Sequence, residues 1–269
     1  METLYTRGIR PRAPYDLRSP WADYRIPSTD ELAGRDISLT LDDGTVVELS
    51  FGHDEVTWRT GEDAAESAPY DAVAERENVY FIQFERTDKL ATTSVVLNLG
   101  RGSGVLVRNT LVPGNSKTDL RQDLWAFTVT GSDGVLPQLT ADLVGRRAYA
   151  EYADGHTAEH IYVNPRRLAW QGLGKFDYSG AELDHCTTWK IDDQLYLLTW
   201  VEEWQAVAAV LLLDYAALRN VGILFGQDDH GYVHTLCGAR LSVLSQTDYP
   251  EGYEPSGTAG PALRKPTAS

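Results

Sequence analysis

His160, Glu202 and Tyr152 are the side chains of this sequence suited to moving a proton. An imidazole titrates near working pH and serves as general base or acid. A carboxylate is its natural partner, or an acid in its own right where burial raises its pKa. Around them Tyr162, Trp200, Trp170, Leu198 and Tyr196 offer aromatic and aliphatic walls for a planar or apolar substrate. Such a set suits proton shuffling without a cofactor: cyclisation, isomerisation, dehydration or decarboxylation.

Other chemistries find less support. His156 and His160 stand four apart, about 13–14 Å along an extended strand, which is too far for one metal ion. Cys186 and Cys237 form no short-spaced pair, so neither a zinc site nor a redox dithiol is read here. No glycine-rich loop precedes a helix, and the Gly-x-Ser-x-Gly nucleophile elbow is absent. His156 and Glu159 are read as surface residues, and Asp184-His185 and His230 as isolated polar positions. Asp42-Asp43 and Asp228-Asp229 are read as turns.

The elements that must position these residues repeat. Leu32-Ala33-Gly34-Arg35 recurs as Leu143-Val144-Gly145-Arg146, Asp43-Gly44 as Asp154-Gly155, Trp58 as Trp170, and Tyr80 to Phe84 as Tyr196 to Trp200. Ile37 to Leu41, an Asp-Gly turn and Val46 to Phe51 have the alternation of a β-hairpin, and Arg147 to Val163 repeat it. Further strands are expected at 70–75, 79–86, 92–99, 104–109, 125–130, 186–191, 195–202, 207–213, 221–225 and 232–236. Thr118 to Leu124 is expected to form one helical turn. Many short strands in two copies indicate an all-β protein of two tandem antiparallel barrels from an internal duplication, since closure buries one face and removes strand edges. The boundaries read as an arm over 1–29, a first barrel over 30–139, a second over 140–248 and a tail over 249–269.

Each copy is a control for the other. The apolar face Leu39, Leu41, Val47, Leu49 and Phe51 matches Ala150, Tyr152, Ala158, His160 and Tyr162. Tyr80, Ile82 and Phe84 match Tyr196, Leu198 and Trp200, and Arg86 matches Glu202. Gln83 and Glu85 are placed outside. Each polar group buried without a partner costs roughly 1–3 kcal/mol, so several are tolerable only where a cavity holds a ligand. The second copy is therefore expected to contain the pocket and the first to be mainly structural.

Asp142 to Arg147, Glu159 to Tyr162, Trp170-Gln171-Gly172, Lys190-Ile191 with Leu195 to Leu197, Trp200 to Glu203 and Gly222 to Gly226 together resemble the MoaF family, over roughly residues 30–240. The resemblance implies two related calycin-type β-barrels and an association with molybdenum cofactor biosynthesis. It extends distantly to phenolic acid decarboxylases, which work without a cofactor through pocket tyrosines, an arginine and a glutamate. By position their glutamate corresponds to Glu202 and one tyrosine to Tyr152, while Ala150 stands where the second would be.

The 269 residues carry a net charge of −15, which opposes nucleic-acid binding. The longest apolar run, Ala206 to Leu213, is too short to span a bilayer, and the start has no basic or apolar signal region, so a cytoplasmic protein without membrane association is expected. The Pro- and aromatic-rich arm is expected to pack on its own barrel or to form a homodimer. Three functions follow: an acid–base enzyme without cofactor or metal acting on an aromatic or polyene molecule of secondary metabolism, a carrier of a hydrophobic small molecule, or an accessory role linked to molybdenum cofactor assembly.

Overall fold

The computed structural model describes residues 21–86, 89–112, 120–174, 181–203, 205–228, 231–252 and 254–255. The first part of the arm, Trp204, His230 and most of the tail lie outside the described residues. Every long regular element among the described residues is a strand. β1 (Asp36–Leu41), β2 (Val46–Phe51), β3 (Glu55–Thr60), β4 (Glu66–Arg76), β5 (Val79–Arg86), β6 (Ala91–Asn98), β7 (Ser103–Leu111) and β8 (Leu120–Val129) pair in chain order, and β8 returns to β1 to close an antiparallel barrel. After a short β9 (Gln138–Leu139), the pattern repeats. β10 (Arg146–Ala153), β11 (His156–Asn164), β12 (Arg167–Gly174), β13 (Ala181–Asp192), β14 (Leu195–Val201), β15 (Ala206–Asp214), β16 (Arg219–Asp228) and β17 (Gly231–Gln246) also pair in order. β17 closes on β10, with Ala150 opposite Leu241. The Thr118–Leu124 reading is corrected where it is described: from Leu120 onward this segment is strand β8.

Alternation explains the first barrel. Along β1 and β2, Ile37, Leu39, Leu41, Val47, Leu49 and Phe51 are buried while their neighbours are exposed or partly so. They pack with Trp58, Tyr80, Ile82, Phe84, Leu106 and Phe127 into an apolar interior. Gly104 and Gly222 mark a close strand approach in each barrel. A Cβ there would stand 1.9 Å from the Val96 carbonyl oxygen and 2.2 Å from that of Val210 respectively, so only glycine lets these strands approach.

The barrels also pack against each other through their outer faces. Val73, Phe81, Val96, Val105 and Val107 meet Leu197, Val210, Leu212, Ile223 and Phe225. Each such side chain contributes about 1.5–3 kcal/mol on full burial. This seam explains why Ala206 to Leu213 is an unbroken apolar run: β15 is buried on both faces. Gln83 and Glu85 do point out of the first barrel, but into the seam. His234 of the second barrel holds Glu85 through Nδ1 at 2.5 Å and Gln83 through Nε2 at 2.7 Å. Residues 21–29 strap the two barrels together. Gly238 N–H donates to Trp21 O at 3.0 Å, and Thr29 N–H donates to Ala72 O at 2.8 Å. No helix among the described residues is long and apolar enough to cross a membrane.

Charged side chains cross the seam too. Arg219 donates through Nε to Glu75 Oε1 at 2.7 Å, while Glu75 Oε2 is sealed without a hydrogen-bond partner among the described residues. Burial pushes the Glu75 carboxyl up to about 7, against the opposing pull of Arg219. An acid whose folded pKa is raised stabilises the fold below its unfolded pKa of 4.5, and that stability is lost as pH rises through about 7. Urea unfolding is expected to show a loss of up to about 3 kcal/mol between about pH 5 and about pH 8, and Glu75→Gln is expected to flatten that slope.

Candidate functional site

Polar residues enter the interior in the second barrel. β10 turns Ala150 and Tyr152 inward, β11 turns Ala158, His160 and Tyr162, and β12 turns Leu168 and Trp170. β14 contributes Tyr196, Leu198 and Trp200, followed by Glu202 at its end. β13 runs against its own hydropathy: Glu182, Asp184 and Cys186 are buried while Leu183 between them is 51% exposed. Sequence reasoning passed over Glu182 and read Asp184 as an isolated position. Thr235 on β17 was missed as well.

One end of the barrel gathers most of the chemistry. Trp170 is in register with His160 on one side and Glu182 on the other. Its Nε1–H donates to Asp184 Oδ2 at 2.9 Å, and the Glu203 backbone N–H donates to Asp184 Oδ1, also at 2.9 Å. Glu202, buried, closes the β14–β15 turn by donating its N–H to Val207 O at 2.9 Å. The His160 ring stands edge-on to Trp200, 5.6 Å between centroids. Trp200 Nε1 and Thr235 Oγ1 are both sealed from solvent and have no hydrogen-bond partner among the described residues. These two residues lie in one row across the strands, through Ala209 and Leu224.

The other end is a floor. The hydroxyls of Tyr162 and Tyr215 lie 3.2 Å apart, Arg146 sits 4.3 Å over the Tyr215 ring, and the Tyr196 hydroxyl donates to Asp142 at 3.3 Å. Lys190 also donates to Asp142, at 2.6 Å. Of the residues expected to line the pocket, His160, Trp170, Trp200 and Glu202 thus gather toward one end. Tyr162 and Tyr196 belong to the floor, with Leu198 between them and Trp200. Tyr152 packs edge-on against Trp21 at 4.7 Å.

Burial sets the proton chemistry. It pulls His160 down to about 4, with only a partial counter-pull from Glu159. The resting imidazole is therefore neutral, its pKa moved by burial away from the intrinsic value near working pH. Burial also raises the hydroxyls of Tyr152 and Tyr162, so both stay protonated. The two free thiols, Cys186 and Cys237, are each pushed up to about 12 by burial and offer no thiolate. Glu159 is corrected from surface to buried. It faces out of the barrel but is covered by Arg147, 2.7 Å away, and by Gln171 at 2.5 Å. His185 is exposed and His156 partly so. Among the described residues no three His, Cys, Asp or Glu side chains are grouped to hold a metal ion.

Two tandem up-and-down barrels, the first packed with apolar side chains and the second with polar residues set among its apolar and aromatic core, define a protein of two tandem antiparallel β-barrels. Residues 16–112 match the MoaF N-terminal domain and residues 137–247 the MoaF C-terminal domain. Protein MoaF of Klebsiella aerogenes is 30% identical over 203 residues, which cover 68% of this chain and 77% of that protein. The chain belongs to the MoaF family. Among solved structures, a candidate β-lactamase from Burkholderia vietnamiensis aligns at a TM-score of 0.33 and 17% identity, over 38% of this chain and 95% of that one.

Proposed function

We propose that the second barrel holds a small aromatic or polyene molecule and performs acid–base chemistry on it without a cofactor, as a cyclase, isomerase or lyase of secondary metabolism in the cytoplasm. The observation that carries this reading is the pair of unmet donors inside the barrel, Trp200 Nε1–H and the Thr235 hydroxyl. A buried donor without an acceptor costs roughly 1–3 kcal/mol, which a ligand oxygen would recover. The sibling barrel keeps Leu49 and Phe51 where this one has His160 and Tyr162. The neutral imidazole presents one acceptor and one donor nitrogen, and so orients a polar substrate atom. Glu202 at the barrel end is the carboxylate of this face, and protonated Tyr152 remains a hydrogen-bond donor. Trp170, Trp200 and Leu198 supply the flat apolar walls.

A carrier is the second reading, and the depressed pKa of His160 favours it, since an imidazole near 4 is a weak base at neutral pH. The family's association with molybdenum cofactor assembly gives a third reading, which would use the same lumen. A panel of hydroxycinnamates and conjugated polyenes, titrated against intrinsic tryptophan fluorescence, tests occupancy. Trp200→Phe keeps the wall and deletes the N–H, so affinity for the best ligand is expected to fall about tenfold. Unchanged affinity in that variant would place the ligand elsewhere. Mass spectrometry of the bound molecule after incubation separates enzyme from carrier.

A further inference from the structure

The mouth of the first barrel brings two arginines together, and one of them has no ion-pair partner among the described residues. Arg86 ends β5 on the inward face that carries Tyr80, Ile82 and Phe84, and Arg108 follows Leu106 on the inward face of β7. Both border a cavity of about 80 Å³ at the barrel mouth, together with Trp58, Thr60, Asp63, Ala64 and Glu66. The Arg86 side chain is 15% exposed and lies 5.7 Å from the Trp58 ring. Its Nη2 approaches Glu66 at 2.5 Å as an ion pair, yet neither Nη2 nor Nε finds an aligned hydrogen-bond partner among the described residues.

Arg108 is partly buried beside it. Its guanidinium lies 5.7 Å from the Trp125 ring, and no hydrogen bond or ion pair joins it to a described residue. Burial and then the charge of Arg86 pull its pKa below the arginine range, with Asp123 and Glu66 pulling the other way. Asp63, in the β3–β4 turn, is exposed, and the other nearby acids among the described residues are engaged. Glu66 answers both Arg86 and Lys89, and Asp123, the register partner of Arg108 on β8, is held by Arg121 at 2.7 Å. Two guanidinium groups drawn together out of water are mutually repulsive unless an anion lies between them. Guanidinium forks match the paired oxygens of a carboxylate or phosphate, and indole faces beside them fit a flat ligand body.

We propose that the mouth of the first barrel binds the carboxylate or phosphate group of a small anionic molecule between Arg86 and Arg108, against Trp58. The space admits the acid group and a few further atoms, with the remainder of the ligand at the rim. This site goes beyond the reading of the second barrel and does not depend on it: either can fail while the other stands.

Calorimetry with benzoate and with inorganic phosphate in low-salt buffer, on the full chain, tests it. At least one anion is expected to bind saturably in the millimolar range or tighter. Arg108→Gln is expected to weaken that binding about tenfold or more, and Arg86→Gln similarly. Arg59→Gln, on the outer surface and paired with Glu48, is expected to leave binding unchanged. Tighter binding of benzoate, weakened by Trp58→Leu, points to an aromatic acid, and tighter binding of phosphate points to a phosphorylated ligand. In anion-free buffer Arg108→Gln is expected to melt no lower than wild type, because it removes repulsion and no ion pair. The proposal is overturned if neither anion binds, if Arg108→Gln binds as wild type does, or if that variant melts several degrees lower without ligand.

Discussion

Glu202→Gln is expected to lower turnover by about 10²–10⁴-fold on a ligand that the second barrel binds, with the dissociation constant little changed. The substitution keeps the shape and reach of the side chain and removes its negative charge, one acceptor oxygen and its ability to gain and lose a proton. Glu202 is the residue for this test because the alternatives are fixed. Burial holds His160 neutral and Tyr152 protonated at working pH. Asp184 is engaged by Trp170 and by the Glu203 backbone. Glu202 stands just past β14, two residues beyond Trp200 on the same alternating face. Steady-state rates beside fluorescence titration separate the outcomes. A rate that falls only in proportion to affinity assigns Glu202 to binding. Full activity in the variant removes it from the chemistry. His160→Ala, which empties a buried position, is the weaker probe because it also disturbs packing against Trp200.

Strand patterns, hairpins and the duplication were legible because they are local. Asp43-Gly44 and Asp154-Gly155 announce their turns, and both glycines take positive φ, at 87° and 76°. Closure of each barrel was inferred from the need to bury edges, and β8 on β1 and β17 on β10 supply it. The misread segment at Leu120 has a clear cause. Leu120 and Leu124 stand four apart, a spacing that shares a face in a helix and equally in a strand. Both pack at the seam. The seam itself was not legible, since nothing local shows that the outward Phe81 and Val96 will meet Ile223 and Phe225.

The site was legible where the two copies differ and hidden where one strand inverts the usual rule. His160 and Trp200 emerged by comparison with Leu49 and Phe84. Asp184 did not, because ordinary patterning would turn Leu183 inward and leave Asp184 in water. The structure does the opposite, with Asp184 at 0% and Leu183 at 51% exposure. Patterning of this kind fails where a charged interior serves something other than packing. The comparison also joins the two proposed sites. Arg86 and Glu202 are matched positions in the duplicated unit, each two residues past the last inward aromatic of its strand, Phe84 and Trp200.

Asp214→Ala is expected to cost about 3–5 kcal/mol of stability. Asp214 is 1% exposed and accepts Arg76 Nε at 2.6 Å and Nη2 at 2.7 Å, across from the first barrel. It also accepts the backbone N–H groups of Ala216 at 2.9 Å and Ala217 at 2.8 Å, which shapes the β15–β16 turn. Burial alone would raise its pKa, but Arg76 and these N–H groups outweigh burial and hold it below the usual aspartate value. A depressed acid stabilises the fold above its unfolded pKa, and that contribution is lost as pH falls through the folded value. Truncation leaves the Arg76 guanidinium, 26% exposed, without its principal partner and uncaps the turn. Urea unfolding at neutral pH measures the loss. If desolvated charge is the cause, Asp214→Leu combined with Arg76→Met should recover much of it, because no unpaired ion then remains. If the double variant is as unstable as the single one, the turn N–H groups and not the ion pair carry the effect. A single transition that shifts with unchanged slope means that the barrels unfold together, and a split transition means that this contact couples them.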